Sequence, residues 1–518
     1  MHCAMTNSNL IVSTAVLCAL AVIRFDRVDA LSMSAGGPHF VGFDLGTSGA
    51  RVSVIERATA GEDTAHEYKE IYSKAILWEG AYNNQDAWMD AVDNLLRGAS
   101  KAMGSLESVA SICVSGTSAS CLMVDSKRGG DMTRKPRMYD FDVANRASDP
   151  VHAHRALELL DQHAPPRHTA RANTGSLAKL LTWNEEKPLQ PGEVLCHQSD
   201  YITMKLLHNK KKCGSGPQQK RVIRSDWHNC LKLGYDVQNL EWPSWIEACL
   251  ADAGISDPLG AGVVPVQVVS PGEPIGTISE DVAKEYGLSP SAVVVGGTTD
   301  SNAAFFAAVG ASPDMGTAVT SLGSTLAMKK LSATYVEDAS RGIYSHRFPS
   351  FANEEEDTDG EAWLVGGASN VGCAVLRQLE FSNDELQSLS NDIDPSSDSP
   401  LSYYPLTKKG ERFPVADSEK EPILEPIPSN RGEYLHGILQ GISDVERDGF
   451  IALGELGATP SRPGTVWTCG GGSRNDMWMK MRERRLIDTF EDDGIQVMKA
   501  ENTEASFGAA ILAAATFK

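Results

Sequence analysis

Two aspartates stand where apolar strands give way to turns rich in glycine and hydroxyl side chains. The first, Asp44, lies in "VGFDLGTSGARVSVIE", residues Val41–Glu56. Gly46 and Gly49 let the backbone approach an anion, so that successive N–H groups point at phosphate oxygens. Thr47 and Ser48 add hydroxyl donors. A bare carboxylate repels phosphate, so Asp44 makes chemical sense with Mg²⁺ between the two. The competing reading is a Gly-rich hairpin in which Asp44 caps its own turn. It is not a dinucleotide fingerprint, because the GxGxxG order is absent and a strand follows. The second, Asp300, lies in "GGTTDS", after a short buried strand and before a helix. Its alternatives are helix N-cap and general base accepting a proton from an attacking hydroxyl.

Three other stretches complete a set. "SLGST" (Ser321–Thr325) aligns with "DLGTS" (Asp44–Ser48). Both sit between apolar strands, which suggests a duplicated hairpin with Gly323, Ser324 and Thr325 as a second phosphate grip. "TCGGGSRNDMW" (Thr468–Trp478) has three consecutive glycines after an apolar run. Gly471 and Gly472 would let a flat ring approach the backbone. Asn475 would offer an amide and Trp478 a stacking face, or Trp478 would simply pack in the core. "SGTSAS" (Ser115–Ser120) puts hydroxyls, Ser118 among them, at a strand's carboxyl end. That suits a polyol in a cleft or an ordinary turn.

The elements that must position these residues alternate in type. Val41–Leu45, Arg51–Ile55 and "VASICVSG" read as strands. Trp88, Val92, Leu95, Leu96 and Ala99 recur at helical spacing. Ser301–Val309 reads as a helix. The mixture predicts an α/β protein, and 518 residues predict more than one domain. A formal charge of −21 argues against nucleic acid or an anionic membrane as the main partner. The ten cysteines form no CxxC pair and no zinc-spaced cluster with histidine, and read as reduced. "LIVSTAVLCALAVI" (Leu10–Ile23) is short for a membrane span and fits the core of a leader, with Ala30 ending a possible cleavage site. Lys210–Arg224 and Asn353–Gly360 read as solvated basic and acidic loops.

The order of these motifs resembles the FGGY family of carbohydrate kinases, within the actin-like ATPases. The resemblance runs from Phe40 to the C-terminus and rests on "GFDLGTSGAR", "GTTDSNAAF", "SLGST" and "GGGSRNDMW", with "SLAKLLTWNEE" as a domain-one signature. "WHNCLKLGYD", "GIYSH", "WLVGGASNVG", "LSYYPLTKKGERFPVAD" and "NTEASFGAAILAA" resemble one branch, the D-ribulose kinases of cyanobacteria and plants. The resemblance implies two ribonuclease H-like lobes flanking a cleft. Residues 38–308 would form a sugar-binding lobe, and 309–499 a nucleotide-binding lobe. The helix near residues 500–518 would pack back on the first lobe, after a leader spanning 1–37.

It implies ATP and Mg²⁺, with Asp300 as base and Asp44 as metal-organising acid near the reacting phosphate. Gly46, Thr47, Ser48, Gly323, Ser324 and Thr325 would take the phosphates. Gly471, Gly472, Asn475 and Trp478 would take adenosine, and Ser118 and Ser301 the sugar with Asp44 and Asp300. Ser115 departs from the pattern, which has an acid before "GTS". The implied partner is a small sugar, not nucleic acid or a stable membrane. The alternatives are a kinase for D-xylulose or another polyol, or an ATP-binding scaffold or slow ATPase. The leader and the plant-like branch together imply a plastid, or the cytoplasm if it stays attached.

Overall fold

The computed structural model describes residues 37–58, 67–208, 221–255, 259, 262–351 and 361–517. The proposed leader core, most of the basic loop and the acidic loop lie outside these residues.

Strand β1 (His39–Leu45) shows how the first sheet is built. Side chains alternate across a strand, and here both faces are covered. Val41, Phe43 and Leu45 pack with Trp88, Val92 and Leu95 of helix α1 (Gln85–Met103). Phe40 faces the other way, among Phe507, Ala510 and Ile511 of the C-terminal helix, Ala505–Ala515. Gly42 shares that second face. A Cβ there would lie 2.0 Å from the Ser506 carbonyl oxygen, so only glycine lets this helix lie so close. Asp44 continues the same face at the strand's end.

The chain turns at Gly46–Ser48 into β2 (Gly49–Arg57), then runs through β3 (Tyr68–Leu77), α1 and β4 (Val109–Gly116). A fifth strand, β5 (Val293–Val295), joins after a long excursion. The core order is β3-β2-β1-β4-β5, with β1, β4 and β5 parallel and β2 antiparallel.

The second half repeats this plan. Strands β6 (Ala318–Leu322), β7 (Leu326–Ser332), β8 (Trp363–Ser369), β9 (Thr465–Cys469) and β10 (Gln496–Lys499) lie in the order β8-β7-β6-β9-β10. Strands β6 and β7 are antiparallel, and β6, β9 and β10 parallel. The described residues therefore contain two α/β lobes of the ribonuclease H-like, actin-like fold.

Helix α2 (Asp300–Val309) lies between them. One side meets the C-terminal helix so closely that a Cβ on Gly508 would sit 1.8 Å from the Ala303 carbonyl oxygen. On the other side Phe305 and Ala308 pack with Val319, Leu331, Leu364 and Cys469 of the second sheet.

Candidate active site

Parallel register brings the first group together. Asp44, at the end of β1, is opposite Ser115 of β4. Thr298 and Thr299 then pair with Ser115 and Gly116 on the other side of β4. Asp300 follows immediately, so three neighbouring strands end at one place. That is where open α/β sheets bind ligands. Thr299 occupies the N-cap position and Asp300 is the first residue of α2. Asp300 therefore does not cap the helix. Its Oδ1 accepts a hydrogen bond from the Ser301 N–H at 2.7 Å.

Asp44 is 4% exposed. Its Oδ1 accepts from Ser115 Oγ at 2.8 Å, and Arg51 lies 3.8 Å from Oδ2. Burial pushes its carboxyl up to about 7, with a further rise from the negative charge of Asp300. Burial also raises Asp300, opposed by the Ser301 amide and by Lys329 and Lys232. A buried acid and a half-buried one repelling each other form a site that a divalent cation would stabilise. No cluster of three or more histidine, cysteine or acidic side chains exists among the described residues. Asp44 with phosphate oxygens fits Mg²⁺, which keeps several waters and needs few carboxylates.

The turn beyond Asp44 is fixed by Trp78, whose Nε1 donates to the Gly46 carbonyl at 2.8 Å. Gly46 N–H closes the turn on the Gly49 carbonyl at 3.0 Å. Thr47 and Ser48 stand exposed at its tip.

The loop after β4 is held at every residue but one. Thr117 donates through its N–H and its Oγ1 to Gln198 Oε1 (3.1 and 3.0 Å). Ser120 Oγ lies 2.5 Å from Thr117 Oγ1 and accepts from the Tyr139 N–H. Ala119 holds a left-handed φ of 61°, a costly conformation for a residue with a Cβ. Its carbonyl accepts from Lys179 Nζ at 2.8 Å, as does that of Met138 at 2.7 Å. Between these pinned residues Ser118 is half-buried. Lys179 has no exposed surface, and burial brings its amine down to about 8.

The second lobe carries the matching hairpin. Gly323, Ser324 and Thr325 join β6 to β7, and Arg377 donates to Ser324 Oγ at 2.8 Å. Beside it the Gly470–Gly472 loop leaves β9. A Cβ on Gly470 would lie 2.7 Å from the Leu322 carbonyl oxygen, so loop and hairpin are in contact. The loop opens onto a cavity of about 750 Å³. Gly471, Gly472, Asn475, Arg377, Phe381 and Ser390 are among the residues that line it. Its size suits a small-molecule ligand.

Trp478 reaches this cavity only from below. It is 1% exposed, packs with Leu322, Leu439 and Met481, and donates through Nε1 to Ser443 Oγ at 2.9 Å. It offers no open stacking face, because its ring fills the core under Gly472. Asn475 is likewise engaged. Its Oδ1 accepts from the Trp478 N–H (3.0 Å), and its Nδ2 donates to Ser390 Oγ (2.8 Å).

The lobes meet at Asp300. Lys329, on β7, donates across the cleft to Ser301 Oγ at 3.1 Å and to Asn302 Oδ1. Burial lowers its amine to about 7, opposed by Asp300. Motif reading gave no role to Lys329, Lys232, Arg377 or Gln198. Lys232 lies within "WHNCLKLGYD" and Lys179 within "SLAKLLTWNEE", but neither was singled out.

Residues 315–517 match the FGGY family of carbohydrate kinases, C-terminal domain. This part of the protein is an FGGY C-terminal domain. Over 495 residues the chain is 23% identical to a xylulose kinase of Bacillus subtilis (strain 168), covering 92% of this chain and 88% of that one. The crystal structure of a xylulose kinase from Bifidobacterium adolescentis superposes with a TM-score of 0.70 at 17% identity, covering 93% of each chain. Plasmodium falciparum glycerol kinase with ADP gives 0.70 at 14% identity, covering 93% of this chain and 90% of that one. The FGGY domain contributes the second hairpin, the Gly470–Gly472 loop and the 750 Å³ cavity. The chain thus carries an FGGY C-terminal domain and shares the fold of these sugar kinases over nearly its whole length.

Proposed function

We propose that the protein transfers the γ-phosphoryl group of ATP to the terminal hydroxyl of a free ketopentose, D-ribulose, giving D-ribulose 5-phosphate. The observation that carries this reading is the placement of Asp44 and Asp300. They sit together at the strand ends of one lobe, and Lys329 of the other lobe, just beyond its glycine hairpin, bonds to Ser301 and Asn302 beside Asp300. The stretches around Trp227–Asp236 and Leu401–Asp417 that resemble D-ribulose kinases support the choice of sugar.

Ser118 and Ser301 would hold the sugar, with its 5-hydroxyl toward Asp300. Asp300 takes the hydroxyl proton as O5 bonds to phosphorus. The bond from phosphorus to the β,γ-bridging oxygen breaks, and ADP leaves with the electron pair. A carboxylate whose pKa lies above the ordinary range is a better base for this step. Gly46–Ser48 and Gly323–Thr325 hold the phosphates from opposite lobes. Mg²⁺ held at Asp44 would supply positive charge to the phosphate oxygens. Most of the acceleration then comes from positioning and electrostatics.

Asp300→Asn should lower kcat about 10²–10⁴-fold with the melting temperature unchanged or raised, read in a coupled ADP-release assay. Near-normal turnover would refute the assignment. A second reading, D-xylulose as substrate, draws support from the named relatives. The same assay run on D-ribulose, D-xylulose, L-ribulose and glycerol separates these. ADP release that no sugar stimulates would favour a scaffold or slow ATPase. Plastid residence after leader removal belongs to this proposal. A fluorescent tag on chains with and without residues 1–37 tests it.

A further inference from the structure

Beside Asp300 the structure gathers more positive charge than packing requires. Lys329 projects from β7 of the second lobe, four residues beyond Thr325 of the phosphate hairpin. It crosses to the first turn of α2, where Ser301 and Asn302 accept two of its protons. An ammonium carries three donors, so one remains for a ligand. Lys232 approaches from the first lobe, near enough to act electrostatically on both Asp300 and Lys329. Arg412 acts on Lys232 from the second lobe.

The polar groups around these cations are unfinished. Thr299 Oγ1 and Asn302 Nδ2 are buried without a hydrogen-bond partner, and both residues have no exposed surface. Burying such groups unpaired is costly, because they give up hydrogen bonds to water and gain none. A ligand rich in acceptors would remove that cost for Asn302, and one with a donor would remove it for Thr299. A lone lysine reaching between lobes could be a structural strut. Two cations and two orphaned polar groups around one carboxylate describe a place built for an anion.

We propose that Lys329, assisted by Lys232, binds the phosphoryl group during and after its transfer, and so is a further catalytic residue and the principal contact of the product's phosphate ester. This rests on the kinase reading above. Lys329 belongs to the nucleotide lobe and its partners to the sugar lobe, so its contacts form where the two substrates meet. As the phosphoryl group moves from ADP to the sugar its negative charge shifts toward α2. An ammonium at this point stabilises that displaced charge, which preorganised donors do best.

The test uses the full chain with Lys329→Met and Lys329→Arg. Calorimetry measures binding of D-ribulose 5-phosphate, of inorganic phosphate, and of a non-hydrolysable ATP analogue. Lys329→Met should weaken both phosphate probes at least tenfold and leave the analogue within about twofold. Its kcat should fall about 10²–10³-fold. Lys329→Arg should recover much of the phosphate affinity. Equal phosphate affinity in wild type and Lys329→Met would overturn the proposal. So would equal loss for all three probes with a lowered melting temperature, because that marks a strut. Should Lys329→Met fail to fold, Lys232→Met carries the same binding test, and unchanged affinity there removes the assisting role. If wild type phosphorylates no sugar, the kinase reading fails by itself. The phosphate-binding arm still decides on Lys329.

Discussion

Adjacent glycines in the Gly470–Gly472 loop should respond to the same methyl group in opposite ways. A Cβ on Gly471 meets nothing within 4 Å, and its backbone is not left-handed. Gly471→Ala therefore fits the folded protein and restricts the unfolded chain, a gain of about 0.4–1 kcal/mol. For a lobe of this size that raises Tm by about 1–4 °C. The open space is the 750 Å³ cavity, however, and the methyl enters it. If adenosine lies against this loop, overpacking costs about 1–3 kcal/mol of binding, or about 5–150-fold in affinity.

Gly472 faces the other way. A Cβ there would lie 2.6 Å from Leu322 Cβ and 2.8 Å from the Trp478 ring. Gly472→Ala should cost about 1–3 kcal/mol of stability, lowering Tm by about 2–12 °C. Calorimetry with an ATP analogue and thermal unfolding of both variants provide the assay. Unchanged nucleotide affinity in Gly471→Ala would show that the base does not rest on this loop. A stable Gly472→Ala would show that the Trp478 packing is looser than described.

Asp44 offers a pH test. Its carboxyl is raised from 3.8 to about 7. The folded state therefore holds a proton that the unfolded state loses, and stability falls as pH rises from about 4 through 7. Asp44→Asn should match wild type near pH 3.5 and exceed it by as much as about 4 kcal/mol at pH 8. Thermal melts with a chelator and no nucleotide read this. A difference that does not grow with pH would refute it. The variant should also be inactive. Lys179→Met should raise the sugar KM tenfold or more and leave the ATP KM unchanged in steady-state kinetics, because it frees the carbonyl of left-handed Ala119 beside Ser118. An unaltered sugar KM in a folded variant would count against that role.

The sequence was informative where chemistry and local conformation coincide. "VASICVSG" reads as a strand and spans Val109–Gly116 in the structure. The helix after "GGTTDS" begins at Asp300, one residue before its expected start. The aligned "DLGTS" and "SLGST" do join corresponding strands of two sheets with one order. Trp478 was undecidable locally, because an aromatic residue after a glycine turn can stack on a ligand or fill the core. Long-range packing by Leu439 and Met481 decided for the core. Lys329, Lys232 and Arg377 gave no local signal. A lysine on a strand or in a short helix is most often a solvated side chain, and only tertiary contact with Ser301, Asp300 and Ser324 gives these a purpose.

The duplicated halves also explain why only one hairpin carries an acid. Asp44 and Ser115 are opposite one another in the first sheet, and Ser321 and Cys469 hold the same relation in the second. On that face the first sheet is covered by the C-terminal helix and the second by α2. In the second lobe Cys469 packs against Phe305 of α2, so the position opposite it, Ser321, lies beside an apolar seam. In the first lobe the corresponding position meets Ser115, Arg51 and the start of α2. One helix thus serves both halves. Its N-terminus presents Asp300 at the strand ends of the first lobe, and its apolar side is buried in the second. Asp300 cannot shift relative to the second lobe without disturbing that packing. If Asp300 is the base proposed above, a single rigid element would set where the sugar oxygen meets the phosphorus, whatever the loops above it do.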